Sequence, residues 1–166
     1  MDEDLSLNST RSLCVAQYWR GRDSNGQPLP LHWALFAIWN GTTDSLSSAQ
    51  YSAANDHWGT CYQAIGNSDT FTYSRTVDEC MEILADEYRG CLVVGEVNGG
   101  DLEEIEKGLE NITIYRHRID WNCQNWVLAA LERLKVRGCV GTNVTANGLR
   151  NELRDMWETW GESKGP

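Results

Sequence analysis

Long hydrophobic runs, paired cysteine motifs and an excess of positive charge are all missing from this chain, and each absence removes a class of function. No segment reaches the roughly 18 to 20 uninterrupted apolar residues of a membrane span, so none is expected. Lys and Arg number 14 against 24 Asp and Glu, a formal charge of −10. Nucleic-acid binding rests on neutralising phosphates with basic side chains, so neither nucleic acid nor an anionic membrane surface suits this balance as a partner. The six cysteines (Cys14, Cys61, Cys80, Cys91, Cys123, Cys139) are widely spaced and form no CxxC pair. They lack metal-ligand spacing, so no metal or other cofactor is expected, and in a reducing compartment they read as small buried hydrophobes. The N-terminal MDEDLSLNSTRS has neither the basic n-region nor the apolar h-region of a secretory signal, so a cytoplasmic location is expected. The Asn-X-Ser/Thr sequons at Asn8, Asn40, Asn111 and Asn143 are accordingly read as chance.

Proline and phenylalanine are also scarce, at three and two, but eight tryptophans and six tyrosines give the composition of a compact globule. A chain of 166 residues can bury a core without disulfide or metal staples. One domain is expected over 12–162, with a polar N-terminal tail (1–11) and a short C-terminal tail (163–166). Apolar and aromatic runs bounded by Gly, Pro and Asn predict strands over 13–19, 31–39, 60–65, 70–73 and 91–97, and a short edge strand over 112–115. The 31–39 run, LHWALFAIW, is apolar at nearly every position, as in a strand covered on both faces. Helical spacing is found over 77–88, over 101–109, from Cys123 to the Gly138 stop, and over 147–160. The small polar stretch 42–56 fits a loop or a weakly amphipathic helix. Strands first, then strands mixed with helices, predict an α+β fold: an antiparallel sheet packed against helices.

Only three histidines are available for acid-base chemistry. His117 lies between two arginines, and His57 lies in a polar loop. His32 opens the apolar strand, where period-2 alternation gives it one face with Ala34, Phe36 and Ile38. Cys123 is the first residue of the clearest helix, which Asn122 caps. Unpaired N–H groups there, at the positive end of the helix dipole, favour a thiolate and could hold an oxyanion formed in acyl transfer. Cys123 also lies on the apolar stripe of its own helix, so a packed core thiol fits the same pattern. His32, in turn, fits a core histidine bonded to a carbonyl. A zinc site from His32, His57 and a cysteine lacks the ligand spacing.

The pair "LHWALFAIW" and, about ninety residues later, "WNCQNWVLAAL" resembles the circularly permuted papain-like cysteine hydrolases, in which a strand histidine precedes a helix-borne cysteine. That superfamily includes PPPDE-type peptidases, lecithin:retinol acyltransferase-like proteins and NlpC/P60-like enzymes; small fungal proteins with a His-Trp strand and a Trp-Asn-Cys helix start also look similar. Gln124 stands where the peptidase pattern has Asn. The resemblance implies Cys123 as nucleophile, His32 as general base and, on the neighbouring strand, Gln63 as the group that orients the ring. It implies a thiol hydrolase or acyl transferase acting on an amide, isopeptide, ester or thioester carbonyl of a peptide, protein or small acyl substrate. Trp33, Trp121, Trp126 and Gln124 are expected to line the substrate cleft, and Gln17 is a further candidate oxyanion donor. The alternative is a non-catalytic module on the same fold that binds a protein or a small ligand.

Overall fold

The two most apolar segments pair with each other at the centre of the molecule. In the computed structural model, which describes residues 9–39, 56–82 and 86–164 (160–164 by backbone only), β1 (Thr10–Tyr18) and β2 (His32–Trp39) run antiparallel. Cys14 lies opposite Phe36, and Tyr18 opposite His32. β3 (Trp58–Ile65), β4 (Thr72–Cys80) and β5 (Tyr88–Asn98) complete a five-stranded sheet of order β4-β3-β2-β1-β5. Every neighbouring pair is antiparallel. Three helices follow: α1 (Leu102–Glu110), α2 (Cys123–Val136) and α3 (Ala146–Lys164). The chain is therefore an α+β protein with an antiparallel sheet.

Alternation along the strands divides the core in two. Leu13, Val15, Trp33, Leu35 and Ala37 turn to the helices and pack with Val127, Leu131 and Leu153. Cys14, Ala16, Ala34, Phe36, Ile38 and Cys61 turn the other way. The central strand is thus covered on both faces, which is why its sequence is apolar at every position after His32. Gln17 lies on the helix side, where its Nε2 donates to the carbonyls of Leu153 (2.6 Å) and Arg89 (3.0 Å) and ties β1 to α3. Gly95 permits a close crossing, since a Cβ there would run into the Cys139 carbonyl. That crossing bridges β5 to Val140 and fixes the chain between α2 and α3.

Two expected elements differ. Helical spacing over 77–88 predicts a helix, yet 77–80 extends β4, 81–82 and 86–87 are turns, and Tyr88 begins β5; 83–85 lie outside the described residues. A register shift between Gly59 and Cys61 lets β4 keep pairing to Cys80, and Asp78 takes a positive φ of 52°. Ladder bonding there outweighs a periodicity that a short segment can match by chance. The segment 112–115, read as an edge strand, is irregular. Ile112 is buried in the helix-side core while its neighbourhood is tied to the β3–β4 turn through His117 N–H to Ser68 O (2.7 Å) and Arg116 Nε–H to Phe71 O (2.9 Å). Its apolar residues mark burial without a ladder. The stretch 42–55 lies outside the described residues, as do 1–8 of the expected tail. Among the described residues no helix is long and apolar enough to cross a membrane.

A candidate Cys-His-Gln active site

Local sequence sets where α2 begins. The Asn122 side chain accepts the Gln124 N–H at 2.9 Å, and the Asn125 side chain accepts the Asn122 N–H at 2.8 Å, a reciprocal cap that fixes Cys123 as the first helical residue. Gln124 Nε2 donates to the carbonyl of Leu31 at 2.8 Å, the residue just before β2. The helix start is thereby held against the strand start, which brings Cys123 beside His32 across ninety-one positions of sequence.

The two side chains are hydrogen-bonded. On its other side the ring meets Gln63 of β3, with Nε2 2.6 Å from Oε1. An amide oxygen only accepts, so Nε2 carries the proton and Nδ1 is the nitrogen left for the thiol. Burial alone would push the Cys123 thiol up, but the hydrogen bond and charge of His32 and then the backbone N–H of Trp33 bring it below its ordinary 9.0. Burial would likewise depress the His32 ring, and the bond and charge of Cys123, helped by Gln63, hold it above 6.5 instead. Both shifts favour the same proton transfer, from sulfur to imidazole.

The other five cysteines go the opposite way. Burial, the leading cause in each, raises Cys14, Cys80 and Cys139, takes Cys91 to about 11 and Cys61 to about 12. Gln63 makes a separable contribution. Gln63→Ala removes the acceptor that fixes the ring tautomer and is expected to slow alkylation of Cys123 at pH 7 about three- to tenfold, the value of one hydrogen bond of roughly 1 kcal/mol. Stopped-flow alkylation, with circular dichroism to verify the fold, measures it.

Cys123, His32 and Gln63 open onto a cleft of about 580 Å³ on the sheet face opposite the helices. Its floor is Tyr18, Ala34, Phe36 and Cys61, and Arg20 and Glu87 also line it. The residues expected to contact substrate lie elsewhere. Trp33 faces the helices, Trp126 is fully buried in that core, and Trp121 packs edge-on against Phe71 at 5.3 Å. Gln124 is occupied by Leu31, so it positions Cys123. Alternation carried the signal for Trp33: if His32 faces the cleft, its neighbour cannot. The same rule picks out Ala34 and Phe36. Nothing in the local pattern marks Tyr18 or Arg20, which reach the cleft only because β1 pairs with β2.

Neither remaining histidine lies in the cleft. His57 is buried, its Nδ1 2.5 Å from Glu82 Oε1, and exposed His117 pairs with Asp69 at 2.9 Å. Among the described residues one set of donors is close enough to share a cation, Asp56, Cys80 and Glu82, within 4.8 Å of one another. Two of its members are already engaged, Glu82 with His57 and the Cys80 Sγ with Glu82 at 3.7 Å.

A family model covering residues 11–155, a span that includes His32, Gln63 and Cys123, matches the chain; its description is a family of unknown function (DUF6914). No curated protein and no solved structure matches.

Proposed function

The chain belongs to that family of unknown function, and we propose that it is a cysteine-dependent hydrolase or acyl transferase working through Cys123, His32 and Gln63. One observation carries this reading: of six thiols, the one at a helix start, bonded to an imidazole and opening onto a cleft, is the one lowered while five are raised. A packed structural thiol would follow the five.

The Cys123 thiolate attacks the carbonyl carbon of an amide, isopeptide, ester or thioester. The carbonyl π pair moves to oxygen, where the backbone N–H of Cys123 can meet it. Collapse expels the leaving group, which takes the proton from the His32 imidazolium and leaves an S-acyl enzyme. Water, or the hydroxyl or amine of an acceptor, then attacks with Nδ1 of His32 as base and releases the thiol. Gln63 keeps Nε2 protonated throughout, although an amide stabilises the imidazolium less than a carboxylate would. A strand histidine preceding a helix-start cysteine, over an antiparallel sheet, supports a permuted papain-like fold.

The test is selective alkylation. Because the Cys123 thiol sits below 9.0, thiolate appears as pH rises through that lowered value, and iodoacetamide at pH 7 should label Cys123 in the folded protein before the other five. Peptide mapping by mass spectrometry reads it. Turnover needs thiolate and imidazolium together, so its profile should be bell-shaped, with an acid limb below 9.0 and an alkaline limb above 6.5 that belong to the pair. Labelling of Cys123 only on unfolding would sink the proposal.

A further inference from the structure

The described arginines are mostly engaged. Arg75 and Arg118 hold carboxylates, Arg116 and Arg89 hold backbone carbonyls, and Arg11 lies over the Trp39 ring. Arg20 makes no ion pair with any described carboxylate. It is exposed, yet it lines the same cleft as His32 and Cys123. Its place is set by the fold. Tyr18, two residues earlier, pairs with His32, the Trp19 N–H donates to Glu87 O at 2.6 Å, and the Gly21 carbonyl accepts the Leu29 N–H at 2.9 Å, so the backbone is pinned on both sides. The Trp19 ring stacks on Trp157 at 5.8 Å.

Arg20 lines the cleft together with both members of the pair, and its charge acts on each of them; Glu79 and Glu87 line the same cleft. Glu79 lies opposite Gly59, four residues along β3 from Gln63, or about 13 Å at the rise of a strand. A cation lining the cleft of Cys123 and free of ion pairs with the described carboxylates, in a chain of net charge −10, is placed where a substrate anion would meet it.

We propose that Arg20 holds a carboxylate of the substrate beside the scissile carbonyl, so that the site takes acyl compounds bearing one carboxylate close to the reacting amide, ester or thioester. A guanidinium matches a carboxylate through two parallel N–H bonds. With one such cation and two carboxylates, Glu79 and Glu87, lining the same cleft, the site suits a monoanion and not a phosphate dianion. The inference rests on Cys123 being the nucleophile.

Iodoacetate and iodoacetamide attack the same thiolate and differ in one charge, so the ratio of their rate constants cancels any change in thiolate fraction. That ratio at Cys123 is expected to fall about three- to tenfold in Arg20→Ala, the size of one screened charge at several ångströms. Arg20→Lys should keep most of it, and Arg20→Glu should lower it further. A ratio equal in the wild type and Arg20→Ala, with Cys123 still selectively labelled, overturns the assignment of Arg20 and leaves the nucleophile standing. A Cys123 inert to both reagents in the folded protein overturns the nucleophile, and the role of Arg20 with it.

Discussion

His32→Ala should cost Cys123 at least about a hundredfold in acyl transfer, the contribution typical of a positioned acid-base group, and should return its alkylation profile to that of an ordinary buried thiol. The causes of its low pKa predict this. Burial pushes the thiol up, and the two largest influences opposing it are the hydrogen bond and the charge of His32. With both gone, the Trp33 N–H and Arg20 remain against burial, the largest single influence, and the thiol is expected to rise. Iodoacetamide at pH 7 would then no longer distinguish Cys123 from the other five, and its rate would climb only as pH passes the ordinary thiol range. The measurement is the second-order rate constant across pH for both proteins, with a thermal melt to verify that the variant is folded. A profile unchanged in His32→Ala would mean that the helix start alone sets the thiol, and the proposed general base would be lost.

Much of this arrangement is legible in the sequence, because the informative signals are local. Asn122 before Cys123 spells a helix start, and the stripe Trp126, Val127, Ala130, Leu131, Leu134 spells one buried face. The unbroken 31–39 run announces a strand covered twice. What the sequence could not supply is the partner of each face. Trp33, Trp121 and Trp126 have the size to wall a cleft, but tertiary packing sends them to the helix-side core, and the cleft is floored by smaller residues on alternate positions. Arg20 was invisible for the same reason: it belongs to a loop, and only the β1–β2 pairing, with Tyr18 opposite His32, carries it to the site. The 77–88 misreading is complementary. Its apolar spacing is real, with Cys80 and Met81 buried, but Val77 is half exposed and the backbone is satisfied by β3.

The anchoring of α2 yields the largest expected effect on stability. Trp126 lies on α2 three residues after Cys123, fully buried, with its ring 5.8 Å from that of Tyr73 on β4. Trp126→Ala should destabilise the protein by about 3 to 5 kcal/mol, the transfer and cavity costs of deleting a large core side chain. Trp126→Phe should cost far less. The Trp126 Nε1–H has no hydrogen-bond partner among the described residues, and removing an unsatisfied buried donor returns about 1 to 3 kcal/mol against the lost volume. Urea titrations of the three proteins, compared by midpoint at constant slope, decide this. The two variants also separate geometry from residue type at the site. If the low thiol pKa comes from α2 being held against β2 beside His32, Trp126→Phe keeps the alkylation profile of Cys123. Trp126→Ala, opening more often, then exposes all six thiols and loses selectivity in proportion to its lost stability. Selectivity that survives in Trp126→Ala despite the full destabilisation would place the hold on Cys123 elsewhere, in the Asn122 cap and the Gln124 bond to Leu31.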